Sequence, residues 1–264
     1  MKRAWLSSLW IAAALCGPAA QAEPVFAQAH ARGELRVGIP ALAAAPVAGA
    51  KVRTPEGLAQ PAAARLAARL GLPLVLVQVP AAQAQAALAE GKADVVLAER
   101  ADNDAPEQGW VSARVTLQPK AVIRSDTPLR RWSQTEGMRV CMAQTNQRAQ
   151  ALAQAHHAQV QPYRAPSDAL VAVREGQCDI ALIDDAVWAA LMRFPEWRKF
   201  SSTLPPDGPR AELGWVAAAP DTRWLQNEMR SWQATGAWAA MSAKWARDVA
   251  FDVYLDQEVP DCHG

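Results

Sequence analysis

From residue 34 onward, short apolar runs alternate with segments of helical period. ELRVGIP (34–40) is apolar, partly β-branched and ends at Pro40, as a buried strand does. PAAARLAARLG (61–71) starts at a proline and stops at Gly71, with Leu66 and Leu70 one turn apart, and predicts a helix. LPLVLVQVP (72–80) reads as a second strand, AAQAQAALAEG (81–91) as a second helix closed by Gly91, and ADVVLA (93–98) as a third strand. Strands that alternate with helices pair in parallel.

The same grammar returns downstream. MRVCMA (138–143), a helix from Asn146 to His156, QVQPYR (159–164), a helix from Pro166 to Glu175, and CDIALI (178–183) form a second βαβαβ unit. EGKADVVLAER (90–100) and EGQCDIALIDD (175–185) match in Glu-Gly, in Asp94 with Asp179, and in the apolar run that follows. Two similar lobes explain the match; so does the general likeness of helix-Gly-strand junctions. A strand at residues 115–124 is expected to leave the first unit, and ELGWVAAA (212–219) to return to it, so the chain crosses twice. From Asp221, read as an N-cap, Trp224, Met229, Trp232, Trp238, Met241 and Trp245 recur at helical spacing and predict one broken or two consecutive helices over the first lobe. Such a tryptophan stripe is packing surface rather than a ligand cage.

Lys2 and Arg3 precede an apolar run to Cys16 and a small-residue stretch ending at Ala22, which reads as a cleavable signal peptide over residues 1–22. Leu15 before Cys16 argues against lipid attachment. The chain is thus expected in the periplasm. Its 264 residues carry 27 Lys+Arg against 26 Asp+Glu, a balance with no basic field for nucleic acid. The expected domains are 1–22 as signal peptide, 23–123 plus 208–264 as a discontinuous lobe I, and 124–207 as lobe II. There is no G-x-S-x-G, P-loop, G-x-G-x-x-G or H-E-x-x-H, so no cofactor and no enzyme chemistry are expected. Cys262 and His263 lack further metal ligands at a recognised spacing, so no metal is expected, and His156 and His157 read as solvated.

Taken in order, LRVGIP, LAARLGLPLVLVQV, LAEGKADVVLA, GMRVCMAQTN, LVAVREGQCDIALIDD and ELGWVAAAPDTRWLQNEMRSWQATGAWAAMSAKW give a chain that resembles the type-3 extracytoplasmic solute-binding proteins, the amino-acid-binding family of bacterial ABC importers. The resemblance spans nearly all of residues 32–246. It implies an α/β, two-lobed type II periplasmic binding protein fold, with parallel-sheet lobes joined by a two-strand hinge. A small polar, amino-acid-like solute would be held in the cleft for an ABC permease or another periplasmic protein, and the protein would act as a monomer. Asp184 matches the position whose carboxylate accepts a ligand amino group; it is equally placed to cap the next helix. Thr145, Asn146 and Gln147 match the helix N-terminus that holds a ligand carboxylate, where Asn146 can also serve as an ordinary cap.

The first lobe departs from the family pattern. ALAAAPVAG, GLAQPAA and ERADNDAPEQG stand where an aromatic, an Asp pair and a carboxylate-clamping Arg are usual, and the aromatic and the Asp pair are absent. Arg100 is the nearest guanidinium to the clamp, with Arg114 a second candidate. This stripped lobe resembles the accessory proteins of quinoprotein dehydrogenases, whose cleft serves a protein partner. A third resemblance, to exported cyclohexadienyl dehydratases, would set Glu99 and Asp184 facing each other as acid and base. The main resemblance also implies a Cys141–Cys178 disulfide. An oxidising compartment favours that bridge, which closes a loop of about 37 residues for roughly 4 kcal/mol.

Overall fold

The computed structural model describes residues 25–42, 49, 51–55 and 57–256, so the signal-peptide reading, Cys16, Cys262 and His263 lie outside the described residues. In chain order the elements are α1 (Ala27–Arg32), β1 (Leu35–Ile39), α2 (Ala59–Leu70), β2 (Leu74–Gln78), α3 (Ala84–Ala89), β3 (Val95–Ala101), β4 (Trp110–Leu117) and β5 (Pro119–Val122). There follow β6 (Arg139–Ala143), α4 (Gln147–Ala155), β7 (Gln159–Tyr163), α5 (Pro166–Arg174), β8 (Ile180–Asp184), α6 (Asp185–Leu191), β9 (Ala211–Ala217), α7 (Ala219–Ala234) and α8 (Ala237–Leu255).

Two sheets result, ordered β2-β1-β3-β9-β4 and β5-β8-β6-β7. In each, the βαβαβ unit supplies three parallel strands, and the crossing chain supplies an antiparallel fourth: β9 beside β3 in the first, β5 beside β8 in the second. The registers correspond, since Val37 faces Val95 in one lobe and Val140 faces Ile180 in the other. The junction match in the sequence has a physical cause. Gly91 and Gly176 turn the helix ends at φ 65° and 74°. Asp94 Oδ2 then accepts the Arg36 N–H at 2.8 Å, and Asp179 Oδ2 the Arg139 N–H at 2.9 Å, tying the starts of neighbouring parallel strands together.

The predicted strand at 115–124 is in fact two strands in different sheets. β4 ends in the first sheet at Leu117 and β5 opens the second at Pro119, so the chain crosses at Gln118, ahead of the expected boundary after residue 123. Gln118 is buried and joins both crossings. Its Nε2 donates to the carbonyls of Asp207 and Gly208, its Oε1 accepts from Arg210 Nε, and its backbone N–H donates to Asp185 Oδ1 at 2.9 Å.

The terminal helices also divide differently from the prediction. α7 lies against β4 and β9 of the first lobe, whereas α8 packs on α5 and α6 of the second. Ala246, Val249, Ala250 and Val253 form the C-terminal part of the buried face of α8, and their compact side chains allow close helix approach. One buried apolar cluster therefore runs from Leu35, Leu97 and Trp215 through α8 to Leu170 and Trp197. Asp221 sits in the first turn of α7 rather than at its cap, and accepts the Phe26 N–H at 2.7 Å. Cys141 and Cys178 form a disulfide in the second lobe, with Cα atoms 6.1 Å apart. Among the described residues, no helix is long and apolar enough to cross a membrane.

Candidate functional site

Parallel strands end together, so the loops that follow them collect on one edge of each sheet, and facing edges enclose a cleft. Here the cleft has a volume of about 880 Å³. The first lobe contributes Pro40 beyond β1, Gln78 at the end of β2 and Glu99 two residues before the end of β3. The second contributes Gln144 to Arg148 beyond β6, Arg164 beyond β7, and Asp184 at the end of β8.

The candidates Thr145, Asn146, Gln147 and Asp184 all line this cleft. Asn146 is buried and acts as a cap, its side chain accepting the Ala149 N–H at 3.0 Å. Asp184 occupies the N-cap position of α6, but its side chain makes no capping bond. The carboxylate is instead taken by Arg148, whose Nη2 donates to Oδ1 at 2.9 Å. The other terminal nitrogen of Arg148 pairs with Glu99 of the first lobe. Glu99 and Asp184 thus meet across the cleft through one guanidinium. Burial pushes the Asp184 carboxyl above its ordinary range, with Arg148 opposing the rise and neighbouring Asp185 adding to it.

Arg100 and Arg114 do not line the cleft. Successive strand residues face opposite sides of a sheet, so with Glu99 turned to the cleft Arg100 turns away. Its Nη1 donates to the Asp104 carbonyl at 2.8 Å, its Nη2 pairs with Glu212 at 2.5 Å, and the guanidinium covers the Trp110 ring. Arg114 sits exposed on a bulge of β4 with φ 55°. Neither arginine supplies the carboxylate clamp expected of it.

Arg148 carried no such expectation, although one signal was available. It lies in the first turn of α4, where the helix dipole disfavours a cation, so its position calls for an acidic partner elsewhere. The segment after β1 brings three further polar residues to the rim. Arg53 pairs with Asp168 at 2.9 Å and with Asp256, Lys51 pairs with Asp256, and Thr54 donates from its N–H and its hydroxyl to Asp252 Oδ2. Trp245 Nε1 donates to the Pro55 carbonyl, and Arg164 Nη2 to that of Lys51. A strap from the first lobe is thereby tied to the end of α8 and to the second lobe. Away from the cleft, His156 is partnered rather than solvated, with Nε2 2.8 Å from Asp207 Oδ2 and its ring stacked on Trp132. Among the described residues no group of three His, Cys, Asp or Glu side chains is placed to hold a metal.

No family model and no curated protein matches the sequence. Solved structures do match. A mutant of ArgBP from T. maritima aligns with a TM-score of 0.55 and 17% identity, over 83% of this chain and 98% of that one. An ancestral cationic amino acid solute binding protein aligns with a TM-score of 0.57 and 18% identity, over 83% and 98%. A binding component of an ABC transporter from Wolinella succinogenes DSM 1740, complexed with lysine, aligns with a TM-score of 0.54 and 18% identity, over 86% and 100%. At such identities the likeness speaks for architecture, and the chain has the two-lobed α/β fold of the periplasmic solute-binding proteins.

Proposed function

We propose that the protein captures a small polar, amino-acid-like solute between its lobes in the periplasm and presents it to an ABC-type importer. The observation that carries this reading is the convergence of strand ends, a helix N-terminus and charged side chains from both lobes on one cavity of about 880 Å³, a volume suited to a small ligand. Thr145, Gln147 and Arg164 are donors on its second-lobe wall. The fold neighbours support the role, since they include the substrate binding protein of an amino acid ABC transporter and a binding component of an ABC transporter complexed with lysine. Binding rather than catalysis fits the state of Glu99 and Asp184. Both are held by Arg148, which leaves neither free to work as a general base.

The test is a thermal-shift panel on residues 23–264 with neutral, acidic and basic amino acids, small carboxylic acids and polyamines. A ligand at about 100 times its dissociation constant adds about 2.7 kcal/mol and raises the midpoint by several degrees. A selective shift that is lost in Thr145→Ala and Arg164→Ala supports solute capture in this cleft. A flat panel overturns it and favours an accessory role with a protein partner, toward which exposed Val52, Phe251, Tyr254 and Leu255 point.

A further inference from the structure

We infer that Arg148 is the specificity determinant of the cleft: it fills the cation subsite between Glu99 and Asp184 from within, so that the cleft excludes solutes with a net positive charge and takes small carboxylic acids. The inference rests on the solute-capture reading and narrows its ligand class.

Glu99 and Asp184 come from opposite lobes at corresponding positions of β3 and β8, and both reach a single guanidinium. Two carboxylates converging on one point of a roomy cavity are what a guanidinium or ammonium ligand would require. That point is occupied by the chain itself. The Arg148 and Asp184 side chains are only 14% and 12% exposed, so the pairing is largely withdrawn from water. A group tethered to its partners acts at an effective concentration of at least the millimolar order, so a free cation of ordinary affinity competes poorly with it.

An independent feature points to the opposite ligand charge. Arg164 also lines the cleft, donates to the Lys51 carbonyl at 3.0 Å, and pairs with no carboxylate among the described residues. The same cleft is lined by Thr145, whose hydroxyl can donate, and by Gln147 and Arg148 of the first turn of α4. A solute arriving in this cleft meets both carboxylates already paired with Arg148, beside donors on the second-lobe wall that no carboxylate neutralises. A carboxylate satisfies the donors, whereas a second cation finds no partner.

The experiment compares residues 23–264 of the wild type with Arg148→Ala and Arg148→Gln, by calorimetry and thermal shift, using arginine, lysine, succinate and glutarate as probes. The wild type is expected to show no saturable response to arginine or lysine up to about 10 mM. Arg148→Ala should bind arginine at least about tenfold more tightly than the wild type, and the gain should disappear when Glu99→Gln is added. Succinate or glutarate should shift the wild type, and shift Arg164→Ala less. Equal arginine affinity in the wild type and Arg148→Ala, or a folded Arg148→Ala that gains none, overturns the assignment. If the variants fold only when arginine is added, the assignment stands; if arginine does not restore folding, it falls. A wild type that responds to no solute, beside an Arg148→Ala that gains arginine, would count against solute capture while leaving Arg148 as the filler of the subsite.

Discussion

The two lobes share a strand frame and a register, yet they are consolidated by different means at the same point. Val37, Gly38, Ala93 and Asp94 of the first lobe correspond to Val140, Cys141, Cys178 and Asp179 of the second. Where the second lobe carries a disulfide, the first carries Gly38 and Ala93. Gly38 is not idle there, because a Cβ on it would lie 2.9 Å from both Val79 and Val96. The first lobe is closed by tight packing over a bare backbone, and the second by a covalent bond with room for it. One topology therefore tolerates opposite solutions, provided that the aspartate tying the strand starts is kept in both.

The largest way to break this comparison is to remove the bridge. Cys141→Ser with Cys178→Ser is expected to cost about 4 kcal/mol, by releasing a loop constraint on the unfolded chain. A urea midpoint for the double variant checks the size, and a reducing agent should lower the wild type to the same value. The converse change strikes the first lobe. Gly38→Ala forces a methyl against Val79 and Val96 and should cost about 1–3 kcal/mol, without sensitivity to reductant. Were Gly38→Ala neutral and Cys141→Ala with Cys178→Ala costly, packing at the first lobe's strand pair would be looser than these distances require.

Much of the frame could be read from the chain because its signals are local. Glycine at each helix end, aspartate three residues later and an apolar run after that are set within a dozen residues, and both copies formed as read. The strand expected at 115–124 divides for the opposite reason. Whether 115–124 is one strand or two depends on which sheet each part meets, and Gln118 marks the division by bonds to Asp185, Asp207, Gly208 and Arg210, all distant in the sequence. The docking of α8 on the second lobe is equally non-local. At the site, Thr145, Asn146, Gln147 and Asp184 follow strand ends, so topology alone carries them to the cleft. Arg100 was placed by its type rather than by the alternation of β3, which puts Glu99 there instead. Arg148 finds Asp184 36 residues away in its own lobe and Glu99 only across the cleft, Lys51 and Arg53 pair with Asp256 some 200 residues away, and nothing in their own segments names those partners.

Acid titration compares the two ionic links between the lobes, and it should read them with opposite signs. Burial pushes Asp184 above the ordinary carboxyl range despite Arg148. At Asp256 burial acts in the same direction, but hydrogen bonds from Lys51 and Arg53 outweigh it and hold the carboxyl below its usual range. A group raised on folding contributes stability that is present below its unfolded pKa and lost as pH rises through its folded value. A depressed group contributes stability that is present above its unfolded pKa and lost as pH falls through its folded value. Relative to Asp256→Asn, the wild type should therefore lose its advantage as the solution is acidified through and below the usual aspartate range, and the strap should loosen there. Relative to Asp184→Asn, the wild type should gain on acidification. Urea midpoints of the three proteins across that range check the signs. Two difference curves of the same slope would mean that donor count does not outweigh burial at the strap, and that the two links are one kind of contact.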